Sequence, residues 1–101
     1  MNYLNQVLIE GKMEGLYVYS KGEGENKKSE VYFFLSWYDF HKSKKISVPC
    51  VAYGKTADDI DENGSRGLRI VGVLDTYGKD NSLRVKVDYA EFKPILKNME
   101  A

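Results

Sequence analysis

Flat aromatic rings and positive charges recur together in this chain, a combination that suits the binding of a single nucleic-acid strand. The candidates near one another in sequence are Trp37, Tyr38, Phe40, Lys42, Lys44, Lys45, Tyr53 and Lys55. A single strand exposes base faces that stack on rings, worth about 1–3 kcal/mol per base, and phosphates that attract cations. Arg84 and Lys86 add charge from the polar side of the last predicted strand. These residues are therefore candidate nucleic-acid contacts.

The charge balance argues against a simple electrostatic binder. The chain has 15 Lys and Arg against 15 Asp and Glu, for a formal net charge of +0, whereas nucleic-acid binders are usually basic. The charges are partly segregated, because the basic residues gather at 41–45 and the acids at 58–62. An alternative therefore stays open, in which the aromatic surface belongs to a protein-interaction module of a replication or primosome complex with weak affinity for nucleic acid.

Residues that would mark an enzyme are sparse. His41 lies in a basic turn without an evident acid or thiol partner, which makes it a poor general base. Cys50 stands in an apolar run, where a buried free thiol is expected. The acids at 58–62 fit the start of a capped helix, and no phosphate-binding loop, metal-ligand spacing or nucleophile motif occurs. We predict a protein that is not an enzyme and uses no cofactor or metal.

Length and composition indicate one small domain. A chain of 101 residues has a limited core, so oligomerisation would help to stabilise it. We place the domain at residues 1–94 and expect 95–101, after Pro94, to form a frayed tail. The N-terminus lacks the basic and apolar regions of a signal peptide, and no window has the ~18 apolar residues of a membrane span. The sequence therefore predicts a cytoplasmic protein without membrane contact.

Alternating apolar residues predict strands over most of the chain. Gly11 and Gly15 indicate a bulge or bend in a long first strand, and 20–29 is predicted to be a mobile hairpin loop. In 30–40, one predicted face carries Val31, Phe33, Leu35 and Trp37, and the other carries Tyr32, Phe34, Ser36 and Tyr38. The second set of rings indicates either a second buried interface or a binding surface. Trp37 is compatible with the core as well as with binding.

The only good helix signal lies between the third and fourth predicted strands. Thr56, with Asp59 three residues later, predicts a capping box, and Asn63-Gly64 predicts the stop of a helix of about two turns. Pro49 in the preceding strand indicates an edge position or a bulge. Three strands, a short helix and two strands match an all-β OB-fold, a five-stranded Greek-key barrel. Another small β-barrel with an incidental helix is the alternative.

Three segments resemble the bacterial single-stranded-DNA-binding protein family. Residues 5–12, NQVLIEGK, resemble its opening N-x-V-x-L-x-G strand; 51–57, VAYGKTA, resemble its V-x-F-G-K-x-A segment; and 67–72, GLRIVG, resemble its G-x-x-V-x-V-x-G strand. The resemblance implies an OB-fold, a homotetramer or homodimer, and binding of single-stranded DNA in replication, repair or recombination. It also implies that Tyr53 takes the place of a base-stacking phenylalanine and that Lys55 follows it as in the family.

The chain also departs from that family. The tryptophan usual a few residues before the second segment is absent, since that region contains Ile46 and Val48, and Tyr77 is the nearest candidate for the aromatic of the hairpin between strands 4 and 5. The long tail with an acidic tip that recruits replication proteins is also lacking. Either such a tail has been removed or the chain resembles tail-less relatives such as the primosomal OB-fold proteins.

Overall fold

A computed structural model of the chain describes residues 4–22, 28–63 and 67–93, and within these ranges the strands wrap into a closed barrel. The elements in chain order are β1 (Val7–Lys21), β2 (Lys28–Asp39), β3 (Lys44–Tyr53), α1 (Gly54–Asn63), β4 (Gly67–Tyr77) and β5 (Ser82–Phe92). Hydrogen bonding follows the order β1-β2-β3-β5-β4 and returns from β4 to β1. The predicted OB-fold, with its helix between the third and fourth strands, is confirmed.

The core is built from the inward-facing residues of the strands, which alternate along each strand with outward-facing ones, and from residues of α1. Its buried members come from β2, β3, α1, β4 and β5: Val31, Phe33, Leu35, Cys50, Ala52, Ala57, Ile60, Leu68, Ile70, Val85 and Val87. Residues of β1, including Val7, Ile9, Met13 and Leu16, pack against this set while staying partly exposed. Helix α1 closes one end of the barrel through Ala57 and Ile60, both fully buried. Burial of this apolar set is the main stabilising contribution to the fold.

Two predicted boundaries are wrong. Helix α1 begins at Gly54, so Thr56 lies inside the helix rather than capping it, and its ten residues make nearly three turns instead of two. The polar segment 20–29 is shorter as a loop than predicted, because β1 extends to Lys21 and β2 begins at Lys28, with these two residues paired. The middle of that loop, the predicted helix stop at Gly64 and the predicted tail at 95–101 lie outside the described residues.

A bulge in β1 decides which of its side chains face the core. The pairing of β1 with β2 shifts register between Glu14 and Tyr17, and Gly15 there has φ 64°. Before the bulge, odd-numbered residues such as Met13 pack on the core; after it, Leu16 does, and Tyr17 points outward with 61% of its surface exposed. The extra residue thus turns the tyrosines of β1 away from the barrel interior. The bulge predicted from the glycines is confirmed at Gly15.

Pro49 sits where β3 is paired on one side only. It lies opposite Phe34 of β2, and the parallel pairing of β3 with β5 comprises only Cys50 with Val85 and Val51 with Lys86. Along 44–49, β3 therefore behaves as an edge even though the barrel is closed. A proline, which has no backbone N–H to donate, is tolerated at such a position. The predicted edge position is confirmed.

The left-handed backbone at Gly15 predicts a specific loss of stability on substitution. A Cβ at this position would lie 3.7 Å from Phe34 Cδ2, an ordinary contact, so space is available. We expect Gly15→Ala to lower the free energy of unfolding by about 1–2 kcal/mol, because φ near +60° is strained for an L-residue with a Cβ. Gly15→Asn is the matched control and should lose less, since Asn adopts this conformation more readily. Urea titrations of both variants measure the difference; equal losses would contradict the explanation.

Burial also predicts an unreactive thiol at Cys50. Only 2% of this residue is exposed, and desolvation raises the pKa of its thiol to about 12. Because the thiolate is the reactive form, we expect almost no reaction of the native protein with an aromatic disulfide reagent at pH 8. Unfolding in denaturant restores a pKa of about 8.5 and should make the reaction fast. A native reaction as fast as the denatured one would contradict the buried position.

Candidate nucleic-acid interface

Five rings gather on the outer surface of the barrel, and we call them the aromatic face. They come from β1, β2, β3 and β4: Tyr17, Tyr32, Phe34, Tyr53 and Tyr77. Four of them are exposed and Tyr32 is half-buried. On β2, alternation directs Tyr32 and Phe34 outward because Phe33 between them points into the core, and on β1 the bulge at Gly15 directs Tyr17 outward. The aromatic face is therefore a set of rings that the core does not use.

Strand register brings rings from distant parts of the sequence together. Tyr17 of β1 lies opposite Tyr32 of β2, with ring centroids 6.3 Å apart and planes tilted by 46°. Tyr32 in turn lies opposite Val51, which faces outward and is nevertheless fully buried. Glu30, one outward position away from Tyr32, lies opposite Tyr53. The face therefore has closely packed rows running across the strands.

A groove of about 300 Å³ runs across this face. Among the described residues, its walls are mostly aromatic or apolar and include one cation: Gly15, Tyr17, Tyr32, Phe33, Phe34, Pro49, Cys50, Tyr77 and Arg84. Two of these, Phe33 and Cys50, are core residues that the groove reaches. The groove passes Pro49, where β3 lacks pairing to β5. The limited pairing between these strands is what leaves room for it.

Arg84 is the cation of the groove and is only partly exposed, at 18% of its side chain. Its guanidinium carbon lies 5.0 Å from the centre of the Tyr77 ring, a cation–π distance. Its Nη2 is 3.4 Å from Tyr53 Oη, to which it donates, and 4.0 Å from Asp75 Oδ2. Its Nε is buried and has no hydrogen-bond partner among the described residues. Arg84 is thus held by a ring and by two long polar contacts.

Carboxylates balance the cations of the aromatic face. Tyr32 donates its hydroxyl hydrogen to Glu30 Oε2 at 2.5 Å, and this bond, with burial and the charge of Glu30, raises the pKa of Tyr32 to about 12. Lys86 lies with its Nζ 6.0 Å from the centre of the Tyr53 ring. Arg84 and Lys86 therefore face Glu30 and Asp75, two charges of each sign. Electrostatic attraction for a polyanion is correspondingly modest at this face.

A second aromatic group occupies the turn between β2 and β3, which we call the hairpin tip, residues 38–45. Tyr38 and Phe40 make an edge-to-face contact with centroids 4.8 Å apart, and Phe40 is 83% exposed. The turn is ordered by Asp39, whose Oδ1 accepts hydrogen bonds from the backbone N–H groups of His41 and Lys42 at 2.9 and 3.2 Å. The tip presents a pair of rings on a short, well-bonded turn.

Alternation along β2 connects the two aromatic groups. Tyr32, Phe34 and Tyr38 are outward residues of the same strand, and Phe40 follows in the turn. Ser36 interrupts the row, donating its hydroxyl hydrogen to Glu14. Lys45 also binds Glu14, with 3.0 Å between Nζ and Oε2, and the two contacts, Ser36 first, lower the pKa of that carboxyl. The lysine of this pair is therefore partly neutralised.

The residues predicted from sequence fall into two spatial groups and two outliers. Tyr53, Tyr77, Arg84 and Lys86 meet on the aromatic face. The hairpin tip holds the second group: Tyr38, Phe40, Lys42, Lys44 and Lys45. Lys55 is exposed in the first turn of α1. Trp37 is half-buried on the core-facing side of β2, opposite Ile46, so it lies outside the row of rings.

The sequence leaves Tyr32 and Phe34 open between a buried interface and a binding surface, indicates Tyr17 only as a possible extension of the rings, and does not point to Glu30. Tyr32 and Phe34 had a usable signal, since alternation puts them on the same face as Tyr38. Tyr17 faces outward only because of the bulge at Gly15. Glu30 is recognisable as part of the face only from its pairing with Tyr53 and its bond to Tyr32. The register between strands, which is a tertiary property, therefore places Tyr17 and Glu30 on the aromatic face.

Residues 4–22, 28–63 and 67–93 contain neither a metal-binding cluster nor a membrane-spanning helix. No group of three or more His, Cys, Asp or Glu side chains in these ranges is arranged to hold a metal ion. The single described helix, α1, is neither long nor apolar enough to cross a membrane.

Solved structures with the same fold include single-stranded-DNA-binding and PriB proteins. The chain is similar to PriB from Ralstonia solanacearum (TM-score 0.64, 16% identity, 89% of this chain and 98% of the other). It is also similar to the dimeric N-terminal domain of PriB from Thermoanaerobacter tencongensis, with a TM-score of 0.67 and 18% identity, over 90% of this chain and 98% of the other. A deletion mutant of the Thermus aquaticus single-stranded DNA binding protein matches with a TM-score of 0.70 and 18% identity. The match covers 97% of this chain and 45% of the Thermus chain. These likenesses establish the fold. No protein-family model and no curated protein sequence matches the chain.

Proposed function

We propose that this protein binds single-stranded DNA without regard to sequence and without catalysing a reaction. Bases stack on the rings of the aromatic face and the hairpin tip, while Lys and Arg side chains approach the phosphates. The observation that carries the proposal is the row of outward rings on β2 that continues into the tip. Similarity in fold to a Thermus aquaticus single-stranded DNA binding protein supports it.

The length of the row suits a short stretch of strand. Tyr32 and Phe40 are eight positions apart, which at about 3.3 Å per strand residue corresponds to roughly 26 Å. Stacked nucleotides rise about 3.4 Å each along one strand, so about eight of them would cover this distance. Known OB-folds occupy about 4–16 nucleotides, and the row falls within this range.

The phosphate contacts are distributed unevenly. Lys42 and Lys44 are exposed at the hairpin tip, and Lys86 lies beside Tyr53. Lys45 is engaged with Glu14, so its contribution is smaller. Because each neutralised phosphate releases counterions, few free cations imply a shallow dependence of affinity on salt. We expect stacking to supply most of the affinity.

The biological setting follows from this activity. Transient single strands arise in replication, repair and recombination, and we place the protein in one of these processes, in the cytoplasm, with replication proteins as further partners. A protein-interaction module is the second candidate, and the balance of two acids against two cations on the aromatic face favours it specifically. A DNA binder has substantial affinity for a single strand at low salt and loses it as salt rises, whereas such a module has only weak affinity from the start.

We also propose that the chain acts as a homo-oligomer, either a dimer or a tetramer. Leu8 of β1 is 67% exposed and lies opposite Val71, which lies opposite Tyr89, itself 56% exposed. Within the described residues, 7–11 of β1 pair with β4 on one side only. An exposed apolar row beside an unpaired strand edge is a surface that proteins usually cover.

Replacing Tyr53 tests the stacking mechanism. We expect Tyr53→Ala to weaken binding of a labelled oligo-dT by about 1–3 kcal/mol, or roughly 5- to 150-fold, because one stacking ring is lost. Tyr53→Phe keeps the ring and removes only the hydroxyl that Arg84 contacts, so it should retain most of the affinity. Fluorescence anisotropy at low salt measures both. Unchanged affinity in Tyr53→Ala would remove this residue from the site, and no binding by the unmodified protein would refute the function.

Replacing Leu8 tests the assembly. We expect Leu8→Lys to dissociate the oligomer to a monomer, because a charge would be buried in an apolar interface. Leu83→Lys is the matched control: Leu83 is similarly exposed, at 60%, but lies at the start of β5, outside the Leu8 row. Light scattering coupled to size-exclusion chromatography gives the mass. A monomeric unmodified protein, or an oligomeric Leu8→Lys variant, would contradict the proposal.

A further inference from the structure

Resting on the proposed function, we infer that the groove of the aromatic face binds one base of the bound DNA strand. The edge of this base points towards Arg84, which recognises it. The base enters the groove beside Phe34 and Tyr77, and Arg84 donates hydrogen bonds to acceptor atoms on its edge. Arg84 then contacts a base, while phosphates are held by the lysines of the hairpin tip.

The walls of the groove suit a flat, uncharged group. Tyr17, Phe34, Pro49 and Tyr77 present ring faces and apolar edges. A nucleobase is planar, stacks favourably on aromatic rings and is uncharged at neutral pH. A phosphate would leave its hydration shell at these walls and gain little in return. The shape and polarity of the groove therefore favour the base over the backbone.

The state of Arg84 favours an additional acceptor. A guanidinium has five N–H donors and no acceptor, and here its polar contacts are a 3.4 Å bond to Tyr53 and a 4.0 Å approach to Asp75. Its Nε is buried without a partner among the described residues. The Tyr77 ring, 5.0 Å away, fixes its position. A carbonyl oxygen or ring nitrogen of a base would satisfy donors that the protein leaves weakly bonded.

Surrounding charge argues against a phosphate in the same place. Asp75 lies 4.0 Å from Arg84, and Glu30 holds the hydroxyl of Tyr32, which lines the groove. Together with Lys86 beside Tyr53, these groups give the face two charges of each sign, so it attracts an anion weakly, whereas a neutral base does not depend on that attraction. Because the hydroxyl hydrogen of Tyr32 is donated to Glu30, its oxygen remains an acceptor for a base N–H. Every base carries an acceptor beside a donor on its pairing edge, so the groove need not select among them.

The test compares three small probes on the intact protein by NMR, following the Arg84 Nε–Hε resonance and the backbone amides of β2. The probes are thymidine, thymidine monophosphate and inorganic phosphate. We expect thymidine and its monophosphate to shift these resonances in a saturable way with similar affinity, and phosphate to leave them unchanged. Arg84→Lys keeps the charge and loses the planar fork, so it should weaken thymidine binding about fivefold or more.

The outcomes separate this inference from the proposed function. The inference is overturned if phosphate shifts Arg84 while thymidine does not, or if Arg84→Lys binds thymidine as well as the unmodified protein. If oligo-dT binds but thymidine produces no shift, the groove site is refuted and the function stands. If oligo-dT does not bind either, both fail. Arg69→Lys is the matched control, since Arg69 is an exposed arginine of β4 that pairs with Glu10 at 3.0 Å, outside the groove; it should change nothing.

Discussion

The bulge at Gly15 is the constraint on which the arrangement of this barrel depends. One strand, β1, pairs with β4 through residues 7–12 and with β2 through residues 12–21, so it joins both sides of the sheet and closes it. A strand of 15 residues without an irregularity would place Leu16 outward and Tyr17 in the core. The bulge reverses this assignment midway, keeping Leu16 on the core and giving Tyr17 to the surface.

The surface that results is defined by what closure leaves unpaired. Since β3 and β5 share only two residue pairs, the region around Pro49 stays open and the groove forms beside it. The helix does not compete for this space, because its buried residues Ala57 and Ile60 close one end of the barrel. The inner faces of the strands therefore pack the core, while the outer faces carry the groove and the exposed rings.

Charge pairing gives the aromatic face its particular character. Arg84 and Lys86 would make it basic, yet Asp75 and Glu30 lie among the same rows. The consequence is a surface that is rich in rings and hydrogen-bond donors but carries little net positive charge. The neutral overall composition of the chain, which at first counts against nucleic-acid binding, is repeated locally at this face.

The sequence by itself determined the elements and one stripe of the surface. Period-two alternation in 30–40 already separates the core residues of β2 from Tyr32, Phe34 and Tyr38, because a strand has no other way to place successive side chains. Gly11 and Gly15 predicted a bulge in β1, which lies at Gly15, and the motif around Tyr53 predicted the end of β3. The predicted cap at Thr56 is wrong because α1 begins at Gly54, two residues earlier, so Thr56 lies within the helix.

Only the tertiary structure decided which residues meet. Arg84 and Tyr53 are 31 positions apart, and their contact depends on the parallel pairing of β3 with β5, which no local pattern encodes. Tyr17 reaches Tyr32 through a register that the bulge shifts. Local sequence fixes the direction of a side chain relative to its own strand, whereas its neighbours are set by how strands are ordered and aligned when the barrel closes.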